Sequence, residues 1–124
     1  MSVLGVGIDL VDVERFRVSL QRTPSMRERM FTEGERAYAE AANDPTERYA
    51  ARFAAKEAVM KAMGVGLGAF GFHDVEVLRD DGGRPSLRVV GAAELLAVDR
   101  GVAGWQISLT HTATSAGAVV VALA

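Results

Sequence analysis

Arg52-Phe53-Ala54-Ala55-Lys56-Glu57-Ala58-Val59-Met60-Lys61-Ala62-Met63-Gly64 is the stretch on which the fold turns. It is rich in strong helix formers, and Gly64 stands where a C-terminal cap belongs, so it reads as the second half of a long helix. At 3.6 residues per turn, Glu57 and Lys61 lie one turn apart on one side, flanked by Ala50, Phe53, Ala54 and Ala58. Arg48, Arg52 and Lys56 lean to the other side, where solvated charge is expected. A carboxylate and an amine in an apolar setting admit two readings. One is an i,i+4 salt bridge at the edge of a surface helix; the other is a pair held for a ligand, with the carboxylate on a metal and the ammonium on an anion. Lysine usage favours the second, because Lys56 and Lys61 are the only lysines against twelve arginines.

Working outward, 124 residues with 49% hydrophobic content predict a single domain over 1–124 with one core. A net charge of −2 gives no global case for nucleic acid. The absence of cysteine excludes disulfides and thiolate metal sites, and no apolar run is long enough to span a membrane. A soluble cytoplasmic protein is expected.

Val3 to Val11 reads as a strand with Leu4, Val6, Ile8 and Leu10 as its core face. Its other face carries Gly5 and Gly7 ahead of Asp9, glycines that either admit a packed helix or clear space for a ligand. Asp12 is a plausible N-cap for a helix with Val13, Phe16 and Leu20 as its stripe. Arg15, Arg17, Arg22, Arg27 and Arg29 against Glu28 give a local excess of +4, either a solvated face or a surface for an acidic partner. Thr32 and Glu35 have capping-box spacing, and Thr46 is expected to cap the long helix. After it, Gly64 to Gly71 holds four glycines in eight positions. Strands are expected at Phe72 to Leu78 and Leu87 to Val90, around a turn at Asp80 to Pro85. A short helix from Gly91 to Arg100 is expected to use Ala92, Leu95, Leu96 and Val98 as its apolar positions. The last pair of strands, Trp105 to His111 and Ala116 to Leu123, is joined by Thr112 to Ser115. His111 sits at a strand end, a place as open to a structural role as to a functional one.

Four blocks in this order, Gly7-Ile8-Asp9-Leu10-Val11-Asp12-Val13-Glu14-Arg15-Phe16, Arg52 to Ala62, Gly83-Arg84-Pro85 and Ser108-Leu109-Thr110-His111, carry a resemblance. The chain looks like the bacterial holo-[acyl-carrier-protein] synthases, the small-chain class of phosphopantetheinyl transferases, from about Val3 to Val121. The resemblance implies an α+β fold with the long helix packed on a small, mainly antiparallel sheet. It implies transfer of the 4′-phosphopantetheine arm of coenzyme A to a serine of an apo acyl carrier protein, as in fatty acid biosynthesis.

By the same resemblance, Asp9 and Glu57 would hold Mg²⁺ against the diphosphate, and Lys61 would add charge there. Arg52 and His111 match positions on coenzyme A phosphates, while Gly64, Gly66 and Pro85 match segments lining that ligand. Arg15 and Arg22 match positions that grip the acidic recognition helix of the carrier. The proton acceptor is left open among Glu57, a metal-bound water and Glu35 from across a subunit boundary. Thr112 departs from relatives that place an acidic residue after the histidine. The single-chain transferases of the superfamily are about twice as long, so a short relative builds its site between copies, as a homotrimer. Two other classes fit some of the residues: a Mg²⁺-dependent diphosphate hydrolase, or a non-catalytic carrier-binding domain.

Overall fold

The computed structural model describes residues 2–124. Strand β1 (Val3–Asp12) runs into helix α1 (Val13–Arg22), and Asp12 is its cap, accepting from the Arg15 amide at 2.8 Å. Pro24 separates α1 from a short α2 (Met26–Met30). Helix α3 (Glu33–Glu40) opens on the expected capping box of Thr32 and Glu35. Helix α4 (Thr46–Met63) stops at Gly64, whose φ of 69° is the left-handed turn that glycine adopts without strain. Thr46 is the first helical residue rather than the cap. Pro45 takes the cap position without a polar side chain, and Asp44 Oδ1 accepts the Thr46 amide at 3.1 Å in its place.

A 3₁₀ turn at Phe72–Asp74 takes the start of the expected strand, leaving β2 (Val75–Arg79) to pair with β3 (Pro85–Val89). Helix α5 (Gly91–Asp99), β4 (Gly104–His111) and β5 (Ser115–Leu123) follow. The main sheet is antiparallel in the order β1-β5-β4, and β2-β3 is a separate hairpin. This is the α+β arrangement expected, with α4 laid on one face of the three-stranded sheet.

What seats α4 is the absence of side chains. A Cβ at Gly5 would overlap the Ala62 carbonyl oxygen, and one at Gly7 would overlap that of Ala58. Ala116, Ala118, Val120 and Ala122 of β5 continue this face, and α4 meets it with Ala54, Ala55, Ala58 and Ala62. Leu4, Val6, Ile8 and Leu10, expected as the core face, therefore lie on the outside. They are 46%, 58%, 60% and 71% exposed, and Val119 of β5 extends the same apolar surface. Alternation identified the two faces correctly; backbone-to-backbone packing then selected glycine over leucine for the inner one.

Two other expectations are corrected. In α5 Ala93 and Ala97 are buried and Leu96 packs against the core as expected, whereas Ala92, Leu95 and Val98 are exposed, because the inward face of the helix falls on positions 93, 96 and 97. Arg52 and Lys56 are 2% and 0% exposed rather than solvated. The face of α4 away from the sheet is covered by α3 and β2. The three donors of the Lys56 ammonium meet three acceptors: Glu35 at 2.8 Å and the carbonyls of Phe72 and Val75. Glu35 is fully engaged as well, accepting from the Thr32 amide and, at 3.0 Å, from the Val77 amide.

Removing one member of this pair leaves the other charge buried alone. Lys56→Met is expected to cost about 3–5 kcal/mol in urea unfolding, most of it recovered when Glu35→Leu is added. An unchanged midpoint for the single variant would mean that the pair does not hold α3 and β2 to α4.

Candidate active site

The glycine face of β1 continues into Asp9, and α4 brings Glu57 and Lys61 to the same place. Lys61 Nζ donates to Asp9 Oδ1 at 3.1 Å and to the Ile8 carbonyl at 2.9 Å. Asp9 and Glu57 both line a cleft of 520 Å³ whose walls include Arg15 and the apolar side chains of Phe16, Met26 and Phe53. Burial, and secondarily the neighbouring Asp9 carboxylate, push the Glu57 pKa above its usual 4.5, while Lys61 pulls the other way. Two like charges are thus held together and only partly offset, an arrangement that a divalent cation relaxes. Among the described residues no group of three or more His, Cys, Asp or Glu side chains could hold a metal ion. Two carboxylates suffice for Mg²⁺ where phosphate oxygens and water complete its shell.

Arg52 and His111 meet elsewhere, around a second pocket of 340 Å³ between α3, α4 and β4. Arg52 is stacked on the Tyr38 ring, and its Nε is buried with no acceptor. Burial lowers the Arg52 pKa, with Arg79 adding to the effect. His111 Nδ1 lies 3.2 Å from Glu47. Asp9 and His111 stand on β1 and β4, the two edges of the sheet, with β5 between them. Two strand spacings are about 9.5 Å. Among the described residues, one chain therefore presents a carboxylate half and a cationic half that share no pocket.

The other candidates are dispersed. Gly64 caps α4, and Gly66 begins a turn closed by the Ala69 amide at 3.2 Å. Pro85 opens β3 and lines a third, smaller pocket with Arg84 and Trp105. Glu35 is 1% exposed and committed to the capping box, Lys56 and Val77, so it does not reach the carboxylate cleft of this chain. Arg15 and Arg22 line a shallow groove on α1, and Arg15 also borders the carboxylate cleft. Neither is ion-paired among the described residues, whereas Arg17 is held by Glu14 and Asp44 and Arg27 faces Glu40.

Tyr38, Arg48, Arg79 and Glu47 were not anticipated as members of the second pocket. The i,i+4 spacing of Arg48 and Arg52 was a usable signal. Nothing local marks Tyr38 or Arg79, which arrive from α3 and β2.

Residues 5–122 match the family model described as the 4′-phosphopantetheinyl transferase superfamily. The holo-[acyl-carrier-protein] synthase of Frankia casuarinae is 50% identical over 122 residues, covering 98% of each chain. That of Streptomyces avermitilis is 48% identical with the same coverage. Among solved structures, the holo-[acyl-carrier-protein] synthase from Neisseria meningitidis superposes with a TM-score of 0.90 at 28% identity, covering 99% of this chain and 100% of that one. The Bacillus anthracis synthase, in complex with CoA (3′,5′-ADP), gives 0.80 at 35% identity, covering 97% of this chain and 96% of that one.

The Glu57 environment has a consequence for stability. A carboxyl whose pKa is higher folded than unfolded binds more protons in the folded state between the two values. Stability is then greatest below the usual value of 4.5 and falls as pH rises through the raised one. With a chelator present, Glu57→Gln is expected to melt above the parent at pH 7 and to lose this falling component. Parallel pH–melting curves for the two proteins would contradict the assigned cause.

Proposed function

The chain belongs to the 4′-phosphopantetheinyl transferase superfamily, and on that premise we infer that it acts as a holo-[acyl-carrier-protein] synthase. It moves the 4′-phosphopantetheine arm of coenzyme A to a serine hydroxyl of an apo acyl carrier protein and releases adenosine 3′,5′-bisphosphate. The observation that carries this reading is the meeting of Asp9 and Glu57 at one cleft that Arg15 borders, with Lys61 paired to Asp9 beside it, in a chain matched over 98% of its length by such a synthase.

The serine oxygen forms a bond to the phosphorus that bears the pantetheine arm, and the bond from that phosphorus to the bridging diphosphate oxygen breaks. The electron pair leaves on the adenosine 5′-phosphate. Mg²⁺ held by Asp9 and Glu57 would supply neutralisation and alignment of the diphosphate. Lys61 adds a compact, mobile charge to the same group. The serine proton must be accepted as the new bond forms. Glu57, which lines the cleft where the hydroxyl must enter, accepts it directly or through a water. Arg52, with a free buried donor, and His111 bind the phosphates at the other end of the coenzyme. The loop at Gly64 and Gly66 and the strand start at Pro85 line the nucleotide.

Arg15 and Arg22, free of internal carboxylates, dock the acidic recognition helix of the carrier. The active assembly is a homotrimer with sites between subunits. Two features support it: the separation of the carboxylate and cationic halves within one chain, and the uncovered apolar face of Leu4, Val6, Ile8 and Leu10. Each such side chain gains about 1.5–3 kcal/mol when a neighbouring copy buries it. Among the described residues no helix is long and apolar enough to cross a membrane, and a chain without cysteine suits the cytoplasm.

Intact mass of an apo acyl carrier protein after incubation with the protein, coenzyme A and Mg²⁺ tests the activity. One phosphopantetheinyl group should be gained, and none with chelator. Asp9→Ala is expected to lower turnover by roughly 10²-fold or more with the fold retained; near-normal turnover would exclude the carboxylate assignment. Arg15→Glu should raise KM for the carrier well beyond any change for coenzyme A, and equal increases would count against the docking surface. Ile8→Lys should give a monomer by light scattering that has lost transfer activity. A trimer of normal activity would remove the outer face from the interface.

A further inference from the structure

Three guanidiniums converge on one ring. Arg48, Arg52 and Arg79 place their central carbons 4.1, 4.2 and 5.1 Å from the centroid of Tyr38. They come from two turns of α4 and from the end of β2, and Tyr38 comes from α3. Like charges at this spacing repel, and among the described residues none of the three lies within ion-pair distance of a carboxylate. Their hydrogen bonds go to backbone carbonyls instead: Arg48 to Tyr38 at 2.6 Å, Arg52 to Arg48 at 3.3 Å, and Arg79 to Gly83. What offsets the repulsion is the negative face of the ring, which attracts each cation and is a flat surface for a guanidinium to rest on. The cluster borders the pocket that His111 closes from β4.

We propose that Tyr38 is a positioning residue for coenzyme binding, its ring holding Arg48, Arg52 and Arg79 as a fan of donors around a coenzyme phosphate. This rests on the reading of Arg52 and His111 given above and extends it to three further residues. Arg52 supplies the buried, unpartnered donor, and Arg48 and Arg79 flank it. The ring contributes no hydrogen bond of its own, since the Tyr38 hydroxyl makes none among the described residues. The role therefore belongs to the aromatic face and not to the phenol.

The test compares Tyr38→Leu, which removes the ring face, with Tyr38→Phe, which keeps it. Initial rates are measured against coenzyme A and against apo carrier protein, and adenosine 3′,5′-bisphosphate binding is measured by calorimetry. Tyr38→Leu is expected to raise the coenzyme KM and the bisphosphate Kd by roughly ten-fold, the loss of cation–π contacts at a partly desolvated site. The carrier KM should hold, the melting temperature should fall by only a few degrees, as loss of the ring's cation–π contacts requires, and Tyr38→Phe should restore both the coenzyme KM and the melting temperature. If both KM values rise together, or Tyr38→Phe fails as badly as Tyr38→Leu, the positioning role is overturned. Arg52→Gln and the more exposed Arg79→Gln separate the two levels of the claim. Weakened bisphosphate binding in these with none in Tyr38→Leu rejects Tyr38 alone; unchanged binding in both rejects the pocket as the phosphate site.

Discussion

The contact that the rest of the molecule depends on is made by backbone. The carbonyl oxygens of Ala58 and Ala62 occupy the volume that side chains at positions 5 and 7 would fill, so α4 lies directly on the peptide plane of β1. That approach fixes the helix in rotation and along its axis. It is what brings Asp9, the next residue on the same face, to the turn of α4 carrying Glu57 and Lys61. A helix held off by ordinary side chains would sit farther away, since face-to-face layers separate by about 10 Å, and Lys61 could not reach the Ile8 carbonyl. Close packing and the site are one constraint.

Adjacent residues of α4 then serve opposite ends. Lys56 is buried with every donor matched, and it ties α3 and the start of β2 to the helix. Glu57, next in sequence, faces a like charge with incomplete compensation, and Arg52, one turn earlier, has a buried donor with no acceptor. Unsatisfied groups of this kind cost stability in the isolated chain and are relieved by bound ligand. The contrast between matched and unmatched charge separates the residue that ties the fold together from the candidate site residues on a single helix more sharply than exposure does.

Much of this was legible in the sequence because it is written locally. The Asp12 cap, the Thr32 and Glu35 capping box, the Gly64 stop and the Asp80 to Pro85 turn each depend on a few neighbouring residues, and all appear where expected. What was misread depends on partners distant in the chain. Alternation in β1 identifies two faces but not which is buried, and glycine inverted the usual choice. Lys56 and Arg52 were placed in solvent because nothing in α4 announces that α3 and β2 will cover it. For the candidate site, the convergence of Asp9, Glu57 and Lys61 is legible in a glycine pair leading to an acid and in an unusual use of lysine. Tyr38 and Arg79 are not, since their pocket is assembled from three elements and leaves no spacing to read.

The pairing of β1 with β5 has a consequence for synthesis. Val3 to Asp12 finds its hydrogen-bonding partner only in residues 115–123, so the first strand made waits for the last. On a ribosome adding about 5–20 residues per second, α4 is complete for several seconds before β5 emerges to close the sheet. During that interval β1 is a strand with two open edges and a run of Leu4, Val6, Ile8 and Leu10 in water. Its glycines add to that exposure, because a glycine-containing strand specifies its pairing register only weakly until the helix and β5 fix it. The same residues that let the helix lie directly on β1 leave that strand least fixed in its pairing while it waits.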